Sequence, residues 1–451
     1  MAADASAPPL ARWPWWLALA GVALDLVAFW PGLLSFDSAQ AWWQARHQAA
    51  TGITPLPFVL LWQAADRLGA GPGALFVLQL TLFWSGLALL AQALQWPARR
   101  GAPLLLAIAL LPVPWLLRGH VWTDVIVLAA ACCALGLLAR AQRSTRPWPW
   151  PWLLLALPCL ACAGLLRHNA LPAMLPLAWW WSTLARPARG TVRGACLARA
   201  ALACALLLAI FGLGRLLQDG IRERVPVWPS LAQFDLAGMS VRSGQMLLPA
   251  FMVGPGLEVG ELAHAFRPWS NLTLFDTRHG VRSPFEPPLS PLELATLRRA
   301  WLDAIATHPA AWLGHRWQVT RALLGTHAAD WPAELIYVQA SVDYRDNPPI
   351  ATHQGALHAR LMQLAALLRA TPLLAAWPCL LAGLLAALPA WRRRTTLAGR
   401  VALTALASAA LLALPLGVLA PAAELRYLGW PCVASLIALA AVLATPRQGA
   451  R

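Results

Sequence analysis

Asp37, Asp124, Arg167, His168, Glu424, Arg426 and Tyr427 stand beside apolar runs, where polar and ionisable side chains are paired or functional, and their types could do acid–base or anion-binding work. Asp37 lies in Trp30-Pro31-Gly32-Leu33-Leu34-Ser35-Phe36-Asp37-Ser38. It could take a proton from a hydroxyl as a general base, or cap a helix over Ser38–Ala50 by bonding free backbone N–H groups. Asp124, in Trp122-Thr123-Asp124, could stabilise a helix start or act as a second carboxylate that orients a substrate or a metal. Arg167 could grip a phosphate with both arms of its guanidinium, or simply pair with Asp124 or Glu424. His168 beside it is a candidate substrate contact. Glu424 and Arg426 share a face if the chain there is extended and diverge if it is helical. Arg426 could meet phosphate, Glu424 could pair with an arginine, and Tyr427 is a further candidate substrate contact. Asp25 stands inside an apolar run, as a proton relay or as a buried, hydrogen-bonded acid.

Metal and redox chemistry find little purchase. His264, His279, His308, His315, His327, His353 and His358 fall in one polar stretch, but none has HExxH spacing and no cysteine accompanies them. Cys159 and Cys162 form a CxxC inside an apolar run with no second pair. No cofactor is required on this reading, and a divalent metal has no ligand set in the sequence. The Asn271-Leu272-Thr273 sequon reads as chance.

What must position these residues is a membrane bundle. Hydrophobic residues make up 59% of the chain and charged residues 12%, about half the charge of a soluble domain. A hydrocarbon core of about 30 Å needs roughly 20 mostly apolar residues per helix. Ten runs qualify, allowing loose boundaries: Pro14–Leu34, Gly73–Leu94, Ala102–Leu117, Val121–Ala139, Trp152–Leu166, Leu171–Leu184, Ala200–Leu217, Pro372–Leu388, Val401–Leu419 and Tyr427–Leu443. The first follows Arg12 and is long enough to be a retained span rather than a cleaved signal.

The net charge of +16 comes entirely from arginine, since the chain has no lysine. Its arginines do not form one basic face, so nucleic acid is not an expected partner. They alternate instead. Arg12 precedes the first run; Arg99 and Arg100 follow the second; Arg140, Arg143 and Arg146 the fourth; Arg186, Arg189, Arg193 and Arg199 the sixth; Arg392, Arg393, Arg394 and Arg400 the eighth; Arg447 and Arg451 the tenth. The positive-inside rule then puts both termini in the cytoplasm of a bacterial-type inner membrane. Trp13, Trp15, Trp16, Trp148, Trp150 and Trp152 would anchor the cytoplasmic interface. All the candidate residues of the first paragraph except Asp25 fall on the opposite, extracytoplasmic face. The chain divides into an N-terminal membrane module (1–217) that includes an external loop (35–72), a periplasmic or extracellular insert (218–371), and a C-terminal membrane module (372–451).

Within the insert, Ser290-Pro291-Leu292-Glu293 reads as a capping box with proline at the first helical position. Leu294, Leu297, Trp301 and Ile305 continue at near-helical spacing, and His308-Pro309 ends or kinks that helix. A second helix is expected from Ala310 to about Gly325, and an amphipathic one over Gly355–Arg369. Thr54–Leu68 in the first loop is either a helix lying on the membrane or a re-entrant pair.

An aspartate in the first external loop, an acid opening a later span, a large external insert and an Arg-Tyr before the last span resemble the GT-C superfamily of lipid-sugar-dependent glycosyltransferases. That group includes protein O-mannosyltransferases and the aminoarabinose transferases of lipid A. The matching stretches are Trp30–Gln40, Val121–Asp124, Arg167–Pro172, Phe234–Arg242, Trp301–Arg316 and Glu424–Trp430. Related proteins often carry His-Pro-Pro after the aspartate; here the comparable place reads Thr54-Pro55-Leu56-Pro57. The resemblance implies an all-α, GT-C-like membrane fold. It also implies inverting transfer of a sugar from a polyprenyl-phosphate donor to an envelope glycan, lipid or protein. Asp37 would be the base, Asp124 the second acid, Arg167 and Arg426 the phosphate ligands, and His168, Glu424 and Tyr427 substrate contacts. The alternatives are a transporter or lipid flippase, with a midplane site and inverted repeats, or a GT-C-like protein without activity.

Overall fold

Residues 11–69, 71–144, 149–185, 191–221, 224–275, 280–326, 336–351 and 355–444 are described in the computed structural model, except for the side chains of His168 and Phe275. Trp148, Arg146, Arg186, Arg189, Arg447, Arg451, His279, His327 and His353 lie outside the described residues. The described chain is all-helical: α1 (Trp13–Phe29), α2 (Phe36–His47), α3 (Leu56–Arg67), α4 (Pro72–Ala93), α5 (Ala98–Leu110), α6 (Pro112–Arg118), α7 (Thr123–Arg143), α8 (Trp150–Leu166), α9 (Leu175–Ala185) and α10 (Val192–Asp219) come first. Then follow α11 (Trp228–Ser243), α12 (Val259–Ala265), α13 (Pro291–Thr307), α14 (Pro309–Leu323), α15 (Ala356–Leu368), α16 (Trp377–Arg392), α17 (Leu397–Leu419) and α18 (Gly429–Ala444).

Each of the ten apolar runs falls on a helix or a helix pair. Among the described residues, five helices are long and apolar enough to cross a membrane: α4, α7, α10, α17 and Leu425–Ala444, the last being α18 with the 3-10 turn before it. The third run is not one straight helix. It breaks into α5 and α6 with a 62° bend. Pro112 follows the break, and a residue before proline is pushed out of the helical region; Leu111 accordingly sits at ψ 144°. The same effect stops α1 at Phe29, five residues short of the expected Leu34, because Trp30 precedes Pro31 and adopts ψ 137°. Thr54–Leu68 resolves into a single helix, α3, with Phe58, Val59, Trp62 and Ala65 on its buried face.

The core of the bundle is α7, buried along its whole apolar length. It can approach α4 closely because the crossing uses glycine: a Cβ on Gly86 would stand 2.6 Å from the Cys132 backbone, and one on Gly136 would stand 2.6 Å from the Gly86 carbonyl oxygen. Small residues at such crossings let two backbones pack where no water drives them together. Asp25 of α1 is buried against α4 and α6. Its carboxylate accepts from Arg118 Nε and Nη2, both at 3.1 Å, and from Trp84 Nε1 at 2.9 Å. Asp25 is thus a paired, hydrogen-bonded acid.

The arginine-rich helix ends collect at one end of the bundle. Gln92 of α4 donates to Ala11 O at 2.9 Å, Arg400 of α17 to Gln142 Oε1 of α7 at 3.0 Å, and Arg393 after α16 to Val442 O of α18 at 2.7 Å. The Arg140 guanidinium lies 5.2 Å from the Trp152 ring. The opposite end carries the start of α2, the starts of α7 and α18, and the ends of α8 and α17.

Helices α11 to α15 fall in the stretch read as the insert. The capping box forms as the spacing predicts: Glu293 N–H donates to Ser290 Oγ at 3.3 Å, and Ser290 N–H to Glu293 Oε2 at 2.7 Å. The Ser290 bonds and then Arg282, 2.6 Å away, lower the Glu293 carboxyl to about 2 from an ordinary 4.5. Its folded value lies below its unfolded one, so the cap contributes in full above about pH 4.5 and fades as pH falls towards about 2. Amide protection factors across the first turn of α13 should therefore drop on going from about pH 5 to about pH 2, ahead of those in α7. Equal protection at both pH values would count against the cap.

Candidate functional site

Asp37 does not cap the helix that follows it. That helix begins at Phe36, two residues earlier than expected; Ser35 is the flanking residue, and Asp37 sits in the first turn. Its side chain, 58% exposed, turns away from the backbone and accepts from Arg426 Nη2 at 2.5 Å. The start of α2 is held there by long-range bonds. Ser38 Oγ donates to Val121 O at 2.5 Å, Leu33 N–H to Gly119 O at 2.8 Å and Val121 N–H to Leu33 O at 3.0 Å. Leu34 N–H donates to Ser341 Oγ at 3.1 Å, and Val342 N–H returns a bond to Leu34 O at 2.9 Å.

Asp124 occupies the corresponding place in α7, inside the first turn with Trp122 flanking it. It forms an ion pair with Arg167 at the end of α8. This is the pairing weighed in the sequence, and Asp124 rather than Glu424 is the partner. Arg167 also lies 4.8 Å from the centre of the Tyr427 ring. Arg426 sits in the 3-10 turn Leu425–Leu428 before α18. Its Nε pairs with Glu424 and its Nη2 with Asp37. The guanidinium is flanked by the Trp122 ring at 5.1 Å and the Tyr427 ring at 5.6 Å. The chain around Glu424 is extended before the tight turn, which lets Glu424 and Arg426, two apart, meet. Tyr427 Oη–H donates to Glu424 Oε1 at 3.4 Å.

Asp37, Arg167, Arg426 and Tyr427 line one cavity of about 420 Å³, and Trp228 and Leu419 lie on its other walls. The cavity therefore joins α2, the turn after α8, α17, the turn before α18, and α11 of the insert. Asp124 and Glu424 stand behind the two arginines. Three carboxylates meet two guanidiniums. Burial pushes the Glu424 carboxyl up from its ordinary value against the pull of Arg426, so this acid is the one whose charge the enclosure disfavours. His168 opens the 3-10 turn His168–Ala170 next to Arg167; its side chain lies outside what is described.

No protein-family model, curated protein or solved structure matches the chain.

The wall formed by α11 is fixed by a buried cluster. Asp235 accepts from Trp301 Nε1 of α13 at 2.9 Å and Trp312 Nε1 of α14 at 3.3 Å, and it pairs with His315 at 3.1 Å and with Arg316. Burial opposes its charge, yet the His315 bond and the Arg316 guanidinium hold the carboxyl below its ordinary range. Arg316 Nη1 reaches on to Ala420 O at 2.7 Å, tying α14 to the end of α17. On the other side, His120 stacks on Trp122 at 4.1 Å and accepts from Val338 N–H through Nε2 at 2.9 Å. Nδ1 then carries the proton to Leu116 O at 2.8 Å. Burial lowers its pKa to about 4, so His120 stays neutral and holds Trp122 against Arg426.

Trp122, Asn169 and Trp228 line the cavity but were not among the candidates. Trp122 stands two residues before Asp124, and Asn169 two after Arg167. Trp228 carried no local signal: only the tertiary fold brings α11 over this end of the bundle. A second cavity, about 900 Å³, is lined by Arg46, Gln63, Asp66 and Arg67 around α3; none of the candidate residues reaches it. Among the described residues, no group of three or more His, Cys, Asp or Glu is arranged to hold a metal ion.

Proposed function

We propose that this protein is an integral-membrane glycosyltransferase of the GT-C type. It moves a sugar from a polyprenyl-phosphate donor to an envelope glycan, lipid or protein on the extracytoplasmic face. One observation carries the reading. Six of the seven residues expected on the external face have described side chains; Asp37, Arg167, Arg426 and Tyr427 line one cavity, and Asp124 and Glu424 pair with its two arginines. That end is the one opposite the arginine-rich helix termini, which is where the positive-inside rule puts the outer face. Exposed leucines on the outer faces of α8, α10, α16 and α17, such as Leu154, Leu208, Leu384 and Leu414, suit lipid and would be a liability in water. In this reading the shorter apolar helices and the bent α5–α6 pair complete ten spans, with both termini cytoplasmic and 218–371 outside.

The chemistry follows from the residues. The Asp37 carboxylate takes the proton of an acceptor hydroxyl. The acceptor oxygen attacks the anomeric carbon from the face opposite the phosphate, and the carbon–oxygen bond to phosphate breaks with its electron pair leaving on the phosphate. The configuration inverts through an oxocarbenium-like transition state. Arg167 and Arg426 stabilise the charge that builds on the leaving phosphate. Asp124 and Glu424 orient those arginines, Tyr427 packs between them, and His168 is assigned to substrate. The donor brings its own leaving group, so the scheme calls on no metal. Its lipid chain would lie along the apolar ends of α17 and α8.

The test compares envelope lipids and glycans from cells with and without the protein. A sugar present in the wild type, lost on deletion and restored by the wild-type gene but not by Asp37→Asn is expected. An unchanged envelope on deletion, or full rescue by Asp37→Asn, would sink the assignment.

A further inference from the structure

The two carboxylates on Arg426 are held very differently. Glu424 belongs to the same turn, is largely enclosed, and is bonded by Tyr427 as well. Asp37 comes from a helix 389 positions away, is 58% exposed, and reaches Arg426 through one hydrogen bond. Arg426 itself cannot move to meet a ligand. It is 12% exposed, tied to Glu424 and flanked by Trp122 and Tyr427. The cavity-facing edge of this guanidinium is therefore a fixed anion site with a removable occupant.

Charge sharpens the point. Both guanidiniums are already matched by carboxylates, Arg167 by Asp124 and Arg426 by Asp37 and Glu424. Adding an anion without removing one would leave like charges a few ångströms apart in an enclosed space. Exchange of one anion for another at the same guanidinium avoids that cost, and phosphate oxygens match the fork that a carboxylate occupies.

Resting on the reading above, we propose that Asp37 occupies the phosphate site on Arg426 in the substrate-free protein, and that an incoming phosphate displaces it. Phosphate binding and release of the base are then one event. Once it no longer accepts from Arg426, the Asp37 oxygen is free to accept from an acceptor hydroxyl. The general base is thus armed only when a phosphate is seated. Release costs little, because Asp37 remains in the first turn of α2, where the helix dipole favours a negative charge. The ligand chemistry is a phosphate mono- or diester anion; whether the lipid chain adds to recognition is a separate matter.

The exchange predicts an effect of opposite sign to that of a supporting role. If Asp37 merely holds Arg426 in place, removing its charge weakens phosphate binding. If it competes, removal tightens binding. Full-length protein in nanodiscs would be titrated with polyprenyl phosphate, unphosphorylated polyprenol, phosphatidylglycerol and inorganic phosphate. Asp37→Asn and Asp37→Ser should each bind polyprenyl phosphate about tenfold more tightly than the wild type, from loss of one charge-assisted competitor. Polyprenol should show no gain, and Arg426→Gln added to Asp37→Asn should abolish it. A gain shared by inorganic phosphate places recognition in the phosphate alone, one confined to polyprenyl phosphate adds the chain, and one seen with phosphatidylglycerol extends it to any lipid phosphate. All three support the exchange. Equal or weaker affinity in both Asp37 variants overturns it, and leaves the transferase reading standing if transfer still needs Asp37. Absence of polyprenyl phosphate binding in every variant overturns both.

Discussion

Purified protein carrying Asp37→Asn is expected to transfer sugar about 10²–10⁴-fold more slowly than the wild type, the usual contribution of a positioned base. Its unfolding temperature should not move. Asp37 is half-exposed, makes one side-chain bond and caps nothing, so asparagine fits the same space and loses only the charge and the ability to take a proton. The combination is what gives the result meaning. A slow variant that also unfolds early would point to a structural role for the α2 terminus. A fast variant would remove the base outright. Coupled to the exchange at Arg426, the loss should fall on kcat while KM for the donor drops, since the competitor for phosphate is gone.

Replacing Arg118 by leucine should destabilise the bundle by about 3–5 kcal/mol, the range seen when one partner of a buried ion pair is removed. Arg118 and Asp25 are each 1% exposed. Arg118 also donates to Ala109 O at 2.5 Å and lies 4.5 Å from the Phe83 ring. In Arg118→Leu the Asp25 carboxylate keeps only Trp84 and faces apolar neighbours. The double variant Asp25→Leu/Arg118→Met should recover most of the loss, because two well-packed apolar side chains replace a pair whose desolvation offsets its attraction. Denaturant unfolding in micelles measures both. A double variant no better than Arg118→Leu would mean that the pair, rather than its neutrality, holds α1 to α4 and α6. The same double variant bears on Asp25 as a proton relay: a relay would lose activity in it even with stability restored.

The pairings divide by range. Asp25 was readable as a buried acid because a charge inside an apolar run has few other fates, but its partner, 93 positions away, was not. Arg167 was expected to pair with Asp124 or Glu424; which of the two depended on where the end of α8 meets the start of α7. Asp37 looked suited to capping as well as to base chemistry, since the local pattern of a short polar residue before a helix is the same in both cases. The choice fell to Arg426, which exists as a neighbour only in the folded bundle.

By itself, the sequence determined the apolar helices, their order, the segregation of arginine to alternate loops, and local devices such as the Ser290–Glu293 box. Each depends on residues within one or two turns of one another, where spacing alone sets geometry. Only the tertiary structure decided that α7 is the central helix, that α11 brings Trp228 over the cavity, and that Asp37 lies on Arg426. Those outcomes depend on how close two backbones can come, as at Gly86 and Gly136, and on which buried charge finds which. Such contacts join parts of the chain far apart in sequence, up to 389 positions for Asp37 and Arg426, and no local spacing encodes them.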